Sequence, residues 1–189
     1  MNATLKPIGV VPLGEVPEIV LKSIAAGILG YLKLNTELLE PQRIPENAYD
    51  LVRQQYDAGL LLNAFESLAL EKHEKVIGVL AVDLFVPILT YVFGEARQGG
   101  RLSLVSLHRL RKNSDGSPAP LPLFLERATK VALHELGHLF NLIHCEDSHC
   151  LMHFSGGLRD LDKAPPYYCS YCSLYLRDAI PSNAKNPWI

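Results

Sequence analysis

Cysteine is missing from the first 144 residues of this 189-residue chain, so metal or thiol chemistry has to be sought in the last quarter. No apolar run is long enough to cross a bilayer, which speaks against a membrane partner. There is no long basic run and the net charge is −2. A nucleic-acid footprint needs clustered Lys and Arg, and none is present. The one short cluster, HRLRK at 108–112, reads as a solvated strand end. Internal repeats and low-complexity tracts are absent as well. The first residues, MNATLKPIGVVPLGEVPE, lack the marks of a secretion signal: the apolar run is short, broken by Pro12, and followed by acids. A cytoplasmic location is therefore expected, where thiols stay reduced. What is present is ordinary for a soluble globular domain, with 48 % hydrophobic and 20 % charged residues.

The patterning gives a strand over 6–13, ended by Gly14, and a helix over 17–33. Pro17 suits its first position, and Val20, Ile24, Gly27, Ile28 and Tyr31 share one face. A short strand follows in NTELLEPQ, stopped by Pro41. A second helix is predicted over 57–73. KVIGVLAVDLF at 75–85 reads as one continuous apolar strand in the middle of a covered sheet. Residues 90–107 read as a hairpin turning at Gln98-Gly99-Gly100. A polar, proline-containing loop covers 111–120, and a long helix covers 121–142, opened by Pro122. Beyond Ile143 the pattern predicts loop, with one short helix near 170–180.

Five of the seven histidines lie between His134 and His153, and all four cysteines, Cys145, Cys150, Cys169 and Cys172, lie from 145 onward. The stretch HELGHLFNLIHC at 134–145 concentrates the chemistry. Residues four apart on a helix differ by about 40° and one turn, so His134 and His138 project from the same side and can chelate one ion. Glu135 flanks them, displaced from the ligand line, where it can take a proton from water bound to that ion. A bare HExxH also arises by chance as part of an ordinary buried helix. His144 separates the two readings. On a continuous helix it would sit about 15 Å beyond His134 along the axis and could not share the ion. If the helix breaks at Asn141, a residue that tolerates the left-handed conformation, the chain folds His144 back as a third ligand.

These residues resemble the metzincin clan of zinc peptidases, whose signature is HExxHxxGxxH followed by a methionine turn. His134, Glu135, His138 and His144 match it, and Asn141 stands at the glycine position. HCEDSHCLM followed by CSYC is similar to the archaemetzincin family, which adds a four-cysteine zinc site after the third histidine. The motif covers 134–172, and VFGEA with the strand–helix order extends the likeness upstream. The resemblance implies that Met152 packs beneath the catalytic zinc and that 90–96 is an edge strand that binds peptides by strand addition. Where some metzincins have a tyrosine that can reach the metal, this chain has Phe154.

Cys145, Cys150, Cys169 and Cys172 form two short-spaced pairs suited to a closed structural zinc site, with two disulfides as the competing reading. His149 and His153 read as surface polar residues. Tyr167 and Tyr168 border either the cleft or the cysteine loop. His73 and His108 have no partner visible in the sequence. Asp83 caps a strand or serves structure.

The expected fold is α/β (α+β), metzincin-like: a mixed, mostly parallel five-stranded sheet with flanking helices, an active-site helix, and a small loop-rich C-terminal lobe stapled by zinc. One catalytic domain is expected over 1–189, with lobes of about 1–141 and 142–189. The expected function is a zinc metallopeptidase with two zinc ions per chain, one catalytic and one structural. Glu135 is its expected general base and acid, and the resemblance implies aminopeptidase-like action on short peptides. The rival is a zinc-binding module in which loop 111–120 or Phe154 blocks the open coordination position.

Overall fold

The computed structural model describes residues 6–66 and 72–180. In chain order the elements are β1 (Ile8–Leu13), α1 (Glu18–Leu32), β2 (Thr36–Leu38), β3 (Tyr49–Asp50), β4 (Gln55–Asp57), α2 (Ala58–Glu66), β5 (Val76–Leu80), β6 (Leu84–Phe85), β7 (Gly94–Ala96), β8 (Leu102–Ser106), α3 (Leu121–Leu139), α4 (Leu158–Lys163) and α5 (Ser170–Ala179). The main sheet has five strands in the order β2-β1-β5-β8-β7. Every pairing in it is parallel except that of β7 with β8. The fold is thus mixed α/β with a mostly parallel sheet, as the sequence predicts.

The central strands β1, β5 and β8 are buried along their whole length; β1 and β5 therefore read as apolar runs, whereas β8 buries Ser103 and Ser106 among its apolar residues. Helices α1 and α3 cover one face. Ile24 and Ile28 of α1, Ala128, Val131 and Leu136 of α3, and Val10, Ile77 and Val105 of the sheet join one cluster. That cluster continues without a gap into Leu151, Met152, Tyr168 and Leu176, so the cysteine-bearing segment packs on the same core. Helix α2 covers the opposite face through Leu61, Leu62 and Phe65.

The run 75–85 is not one strand. It leaves the main sheet after Leu80, and Leu84–Phe85 joins a second, small sheet in the order β3-β4-β6. The cause is Asp83. An apolar sheet interior cannot hold its carboxylate, and a polar clamp is built for it instead. Arg109 donates to both oxygens at 2.8 and 2.7 Å and Gln55 donates at 2.8 Å. The Ser106 hydroxyl also donates to the Val82 carbonyl at 2.7 Å.

The expected helix at 57–73 is present as Ala58–Glu66; residues 67–71 of that stretch lie outside the described residues. The hairpin expected at 90–107 is confined to β7 and β8, because Val92 instead donates to Leu84 of the small sheet at 3.0 Å. Helix α4 interrupts what reads as loop, while α5 falls where the short C-terminal helix is expected.

Burial raises the Asp83 carboxyl, but its bonds from Arg109 and Gln55 outweigh that and hold it below the ordinary value. Asp83→Ala is expected to cost about 1–3 kcal/mol at neutral pH, the range for bonds to a charged group. Folding lowers this pKa. The contribution is therefore complete above the unfolded value near pH 4 and declines as pH falls below it. Thermal melts of wild type and variant should converge towards pH 3; a gap of constant size from pH 7 to pH 3 would mean that the charge is not what holds the loop.

Candidate active site

Helix α3 carries the first two histidines and ends where the third requires. Its last turn closes with the Asn141 N–H on the His138 carbonyl at 2.9 Å and the Leu142 N–H on the Gly137 carbonyl at 3.0 Å. This is the paired bonding of a Schellman stop, whose key residue takes the left-handed conformation. Asn141 has φ 74°, so the helix stops at Leu139 and the chain reverses, as its place in the sequence predicts.

The reversal brings His144 back to His134 and His138. One ring nitrogen from each of the three lies within 4.8 Å of the others. Backbone carbonyls decide which nitrogens these are. His134 donates Nδ1–H to the Leu151 carbonyl at 2.8 Å, and His138 donates Nδ1–H to the Leu142 carbonyl at 2.7 Å. The two Nε2 atoms are left facing one another at 3.1 Å, a spacing suited to sharing one ion with bonds of about 2.0–2.1 Å. Burial, then the neighbouring His138, pushes the His134 imidazole down to about 3. Burial also lowers His138 and His144. All three therefore favour the neutral, ligating form.

Glu135 is buried beside this cluster. Burial first, and the negative charge of Glu95 second, raise its carboxyl well above the ordinary range. It lies directly against β7: a Cβ added at Gly94 would stand 2.5 Å from its Oε1. Below the histidines, residues 150–153 form a tight turn, with the His153 N–H on the Cys150 carbonyl at 3.0 Å. The turn buries Met152 so closely against α3 that a Cβ at Gly137 would meet its Sδ at 2.6 Å.

A cleft of about 490 Å³ opens onto these groups. One wall is residues 89–96 with edge strand β7; the other is α3 with the segment from Leu151 to Ala164. Loop 111–120 contributes nothing to it. Phe154 does, and its ring packs edge-on against His144 at 5.3 Å between centroids.

The four cysteines form a second cluster, with one sulfur from each within 4.8 Å of the rest. All are free thiols, so the disulfide reading is not realised in this structure. Backbone N–H groups of Met152 and Cys169 point at the Cys150 sulfur, at 3.4 and 3.3 Å. Both clusters fit zinc by donor type and spacing, three imidazoles in one and four sulfurs in the other.

Among the remaining candidates, His149 is exposed and joins neither cluster. His153 donates to the Cys145 carbonyl at 2.9 Å and so braces the cysteine segment. Tyr168 is buried against that segment, its hydroxyl on the Leu133 carbonyl at 2.8 Å, while Tyr167 is exposed. His73 pairs with Glu37 at 2.9 Å. No spacing or motif singles out Arg127 and Lys130, two buried cations of α3.

Fold and site are those of a zinc-dependent metallopeptidase. The sequence model of Peptidase family M54 matches residues 26–178. The archaemetzincin of Pyrococcus furiosus is 38 % identical over 177 residues, 90 % of this chain and 92 % of that protein. The archaemetzincin of Haloquadratum walsbyi is 35 % identical over 172 residues, 89 % of this chain and 98 % of its own. The crystal structure of archaemetzincin from Methanopyrus kandleri superposes with a TM-score of 0.83 at 33 % identity, covering 95 % of this chain and 97 % of that one. A zinc-dependent peptidase from Methanocorpusculum labreanum superposes with a TM-score of 0.80 at 28 % identity, covering 89 % and 99 %. The chain belongs to peptidase family M54, the archaemetzincins.

The contact between Gly94 and Glu135 generates a prediction. Gly94→Ala must displace the carboxylate or the strand, and misplacement on the scale of 1 Å costs about 10²-fold in rate. Peptide hydrolysis should fall by that order with zinc content, measured by mass spectrometry, unchanged. Wild-type turnover in the variant would show that β7 does not position Glu135.

Proposed function

We propose that this metallopeptidase cleaves short peptides laid along the free edge of β7, with Glu135 as general base and then acid. His134, His138 and His144 are the ligands of the catalytic zinc, and Cys145, Cys150, Cys169 and Cys172 those of a second, structural zinc. The observation that carries the reading is the commitment of two Nδ1 atoms to backbone carbonyls, which leaves imidazole Nε2 atoms converging beside one buried carboxylate. Zinc, when bound there, supplies a Lewis acid for the substrate carbonyl and makes water acidic at neutral pH.

The chain's own groups do the rest. The outer edge of β7 offers unpaired N–H and C=O groups to an extended substrate, so the backbone binds as an added strand. Glu135 lies on the floor of that groove. It removes a proton from the attacking water and delivers it to the leaving amine. The walls of the cleft keep bulk water from the carboxylate, which strengthens each charge inside. Glu95 lines the same cleft and offers a second carboxyl to a substrate amino group, the feature that favours cleavage near an amino end.

A second reading, a zinc-binding module with little turnover, has one observation behind it: the Phe154 ring against His144 narrows the cleft at the third histidine. Two variants separate the readings. Glu135→Ala should keep its zinc and lose hydrolysis by about 10²–10⁴-fold, the usual worth of a positioned base. His138→Ala should lose the metal along with activity. Full activity in Glu135→Ala, or no cleavage by the zinc-loaded wild type across a broad peptide panel, would sink the peptidase assignment of this carboxylate.

The structural ion makes its own prediction. Protein purified under reducing conditions should hold two zinc ions, the cysteine-bound one being the harder to strip. Cys150→Ser should lower the melting temperature by several degrees, because Cys150 is fully buried in the core shared by the C-terminal segment and α3. A stoichiometry of one ion with unchanged melting would contradict the four-cysteine site.

A further inference from the structure

The cleft contains one lysine. Lys130 lies on α3 one turn before His134, about 6 Å along the axis, and lines the cleft with Val131, Leu151, Leu161 and Ala164. Its side chain is only 2 % exposed. An ammonium among apolar side chains carries a large desolvation cost unless its bonds are met. Of its three N–H donors, one goes to Glu126 Oε1 at 2.6 Å and one to the Leu161 carbonyl at 3.3 Å. Among the described residues no acceptor stands opposite the third. Glu126 is half-exposed, so water shares its charge and it neutralises the ammonium only in part.

Lys130 also ties α3 to α4 through Leu161, but that tie is redundant. One turn earlier Arg127 grips Asp162 of α4 with two bonds at 2.6 and 2.7 Å, and a methionine would fill the volume of Lys130. Among the described residues, the cleft's other charged side chains are the carboxyls of Glu95 and Glu135, so Lys130, with an unspent donor, is its one cationic group to receive an anion. We infer that Lys130 makes this pocket a carboxylate-recognition site, selecting substrates that place a carboxylate within a residue or two of the scissile bond. The carboxylate comes from an acidic side chain or from the free carboxyl end of a short peptide. This rests on the peptidase reading for the position of the scissile bond.

The test uses zinc-loaded wild-type protein and three hydroxamates, each carrying one amino acid: glutamate amide, glutamine amide, and glutamine with a free carboxyl end. Dissociation constants are measured by calorimetry. One of the two carboxylate ligands should bind about 10- to 100-fold tighter than glutamine amide, the discrimination expected of a charged hydrogen bond, and which one does so identifies the source. Lys130→Met should erase the gap while leaving affinity for glutamine amide unchanged, and Lys130→Arg should keep most of it. A purely structural lysine would not move this difference. Equal affinity for all three ligands, including no binding by any, overturns the inference, as does a gap that survives Lys130→Met. Peptide hydrolysis is followed in parallel. A gap without turnover counts against the peptidase reading alone, and turnover without a gap counts against the carboxylate pocket alone.

Discussion

Two backbone carbonyls, those of Leu142 and Leu151, govern the rest of the site. An imidazole has two nitrogens, and three rings can share an ion only if the correct nitrogen of each faces inward. The Leu142 carbonyl reaches His138 only because the chain reverses at Asn141, and it also accepts the Gln98 side chain at 3.0 Å. The left-handed residue costs about 1 kcal/mol. The bonds it permits, from Asn141, Leu142, His138 and Gln98, contribute about 1 kcal/mol each, so the reversal is favourable as a set. The Gly99 N–H adds a further bond to the His138 carbonyl at 2.9 Å. That bond docks the β7–β8 turn on the helix end and fixes the two walls of the cleft relative to each other.

Helix α3 also carries a load that helices seldom carry. Arg127, Lys130 and Glu135 are all buried on it. Arg127 satisfies its guanidinium with Asp162 and the carbonyls of Leu110 and Lys112, at distances from 2.6 to 3.0 Å. Its role is to pin α4, and with it Leu161, to the cleft wall. Deleting Asp162 would strand a charge in the core, whereas an apolar replacement of both partners would cost much less. The clamp therefore testifies more to a required geometry than to a need for stability.

The parts legible from sequence are those set by local rules. The four-residue spacing puts His134 and His138 on one face whatever the fold, and Asn141 signals a stop because few residues accept its conformation. The apolar runs of β1 and β5 announce buried strands of a covered sheet. The remainder depends on partners distant in the chain. A run such as 75–85 reads the same whether or not it stays in one sheet, and what breaks it is Arg109, 26 positions beyond Asp83. Helix α4 has six residues, too few to show a period. Lys130 and Arg127 sit at polar positions of an amphipathic pattern, and only the packing of α4 across them turns that polar stripe inward. Gly94 matters through a contact with Glu135, which no spacing rule can reveal.

The electrostatics of the cleft show why these pieces belong together. Without a cation, Glu135 is an unfavourable residue: it is buried, has no ion-pair partner among the described residues, and is repelled by Glu95, so burial drives it towards the neutral acid. A neutral acid is no base. The adjacent imidazoles are themselves held neutral by burial, so they provide no compensating charge. A divalent ion on those imidazoles would bring positive charge beside the carboxylate and favour its ionised form. The same burial that disfavours the charge in the empty protein strengthens its attraction to the ion, because both act through a low dielectric. On the proposed reading of Glu135 as the general base, its competence would then depend on metal held by the histidine neighbours, which ties occupancy of the site to its chemistry.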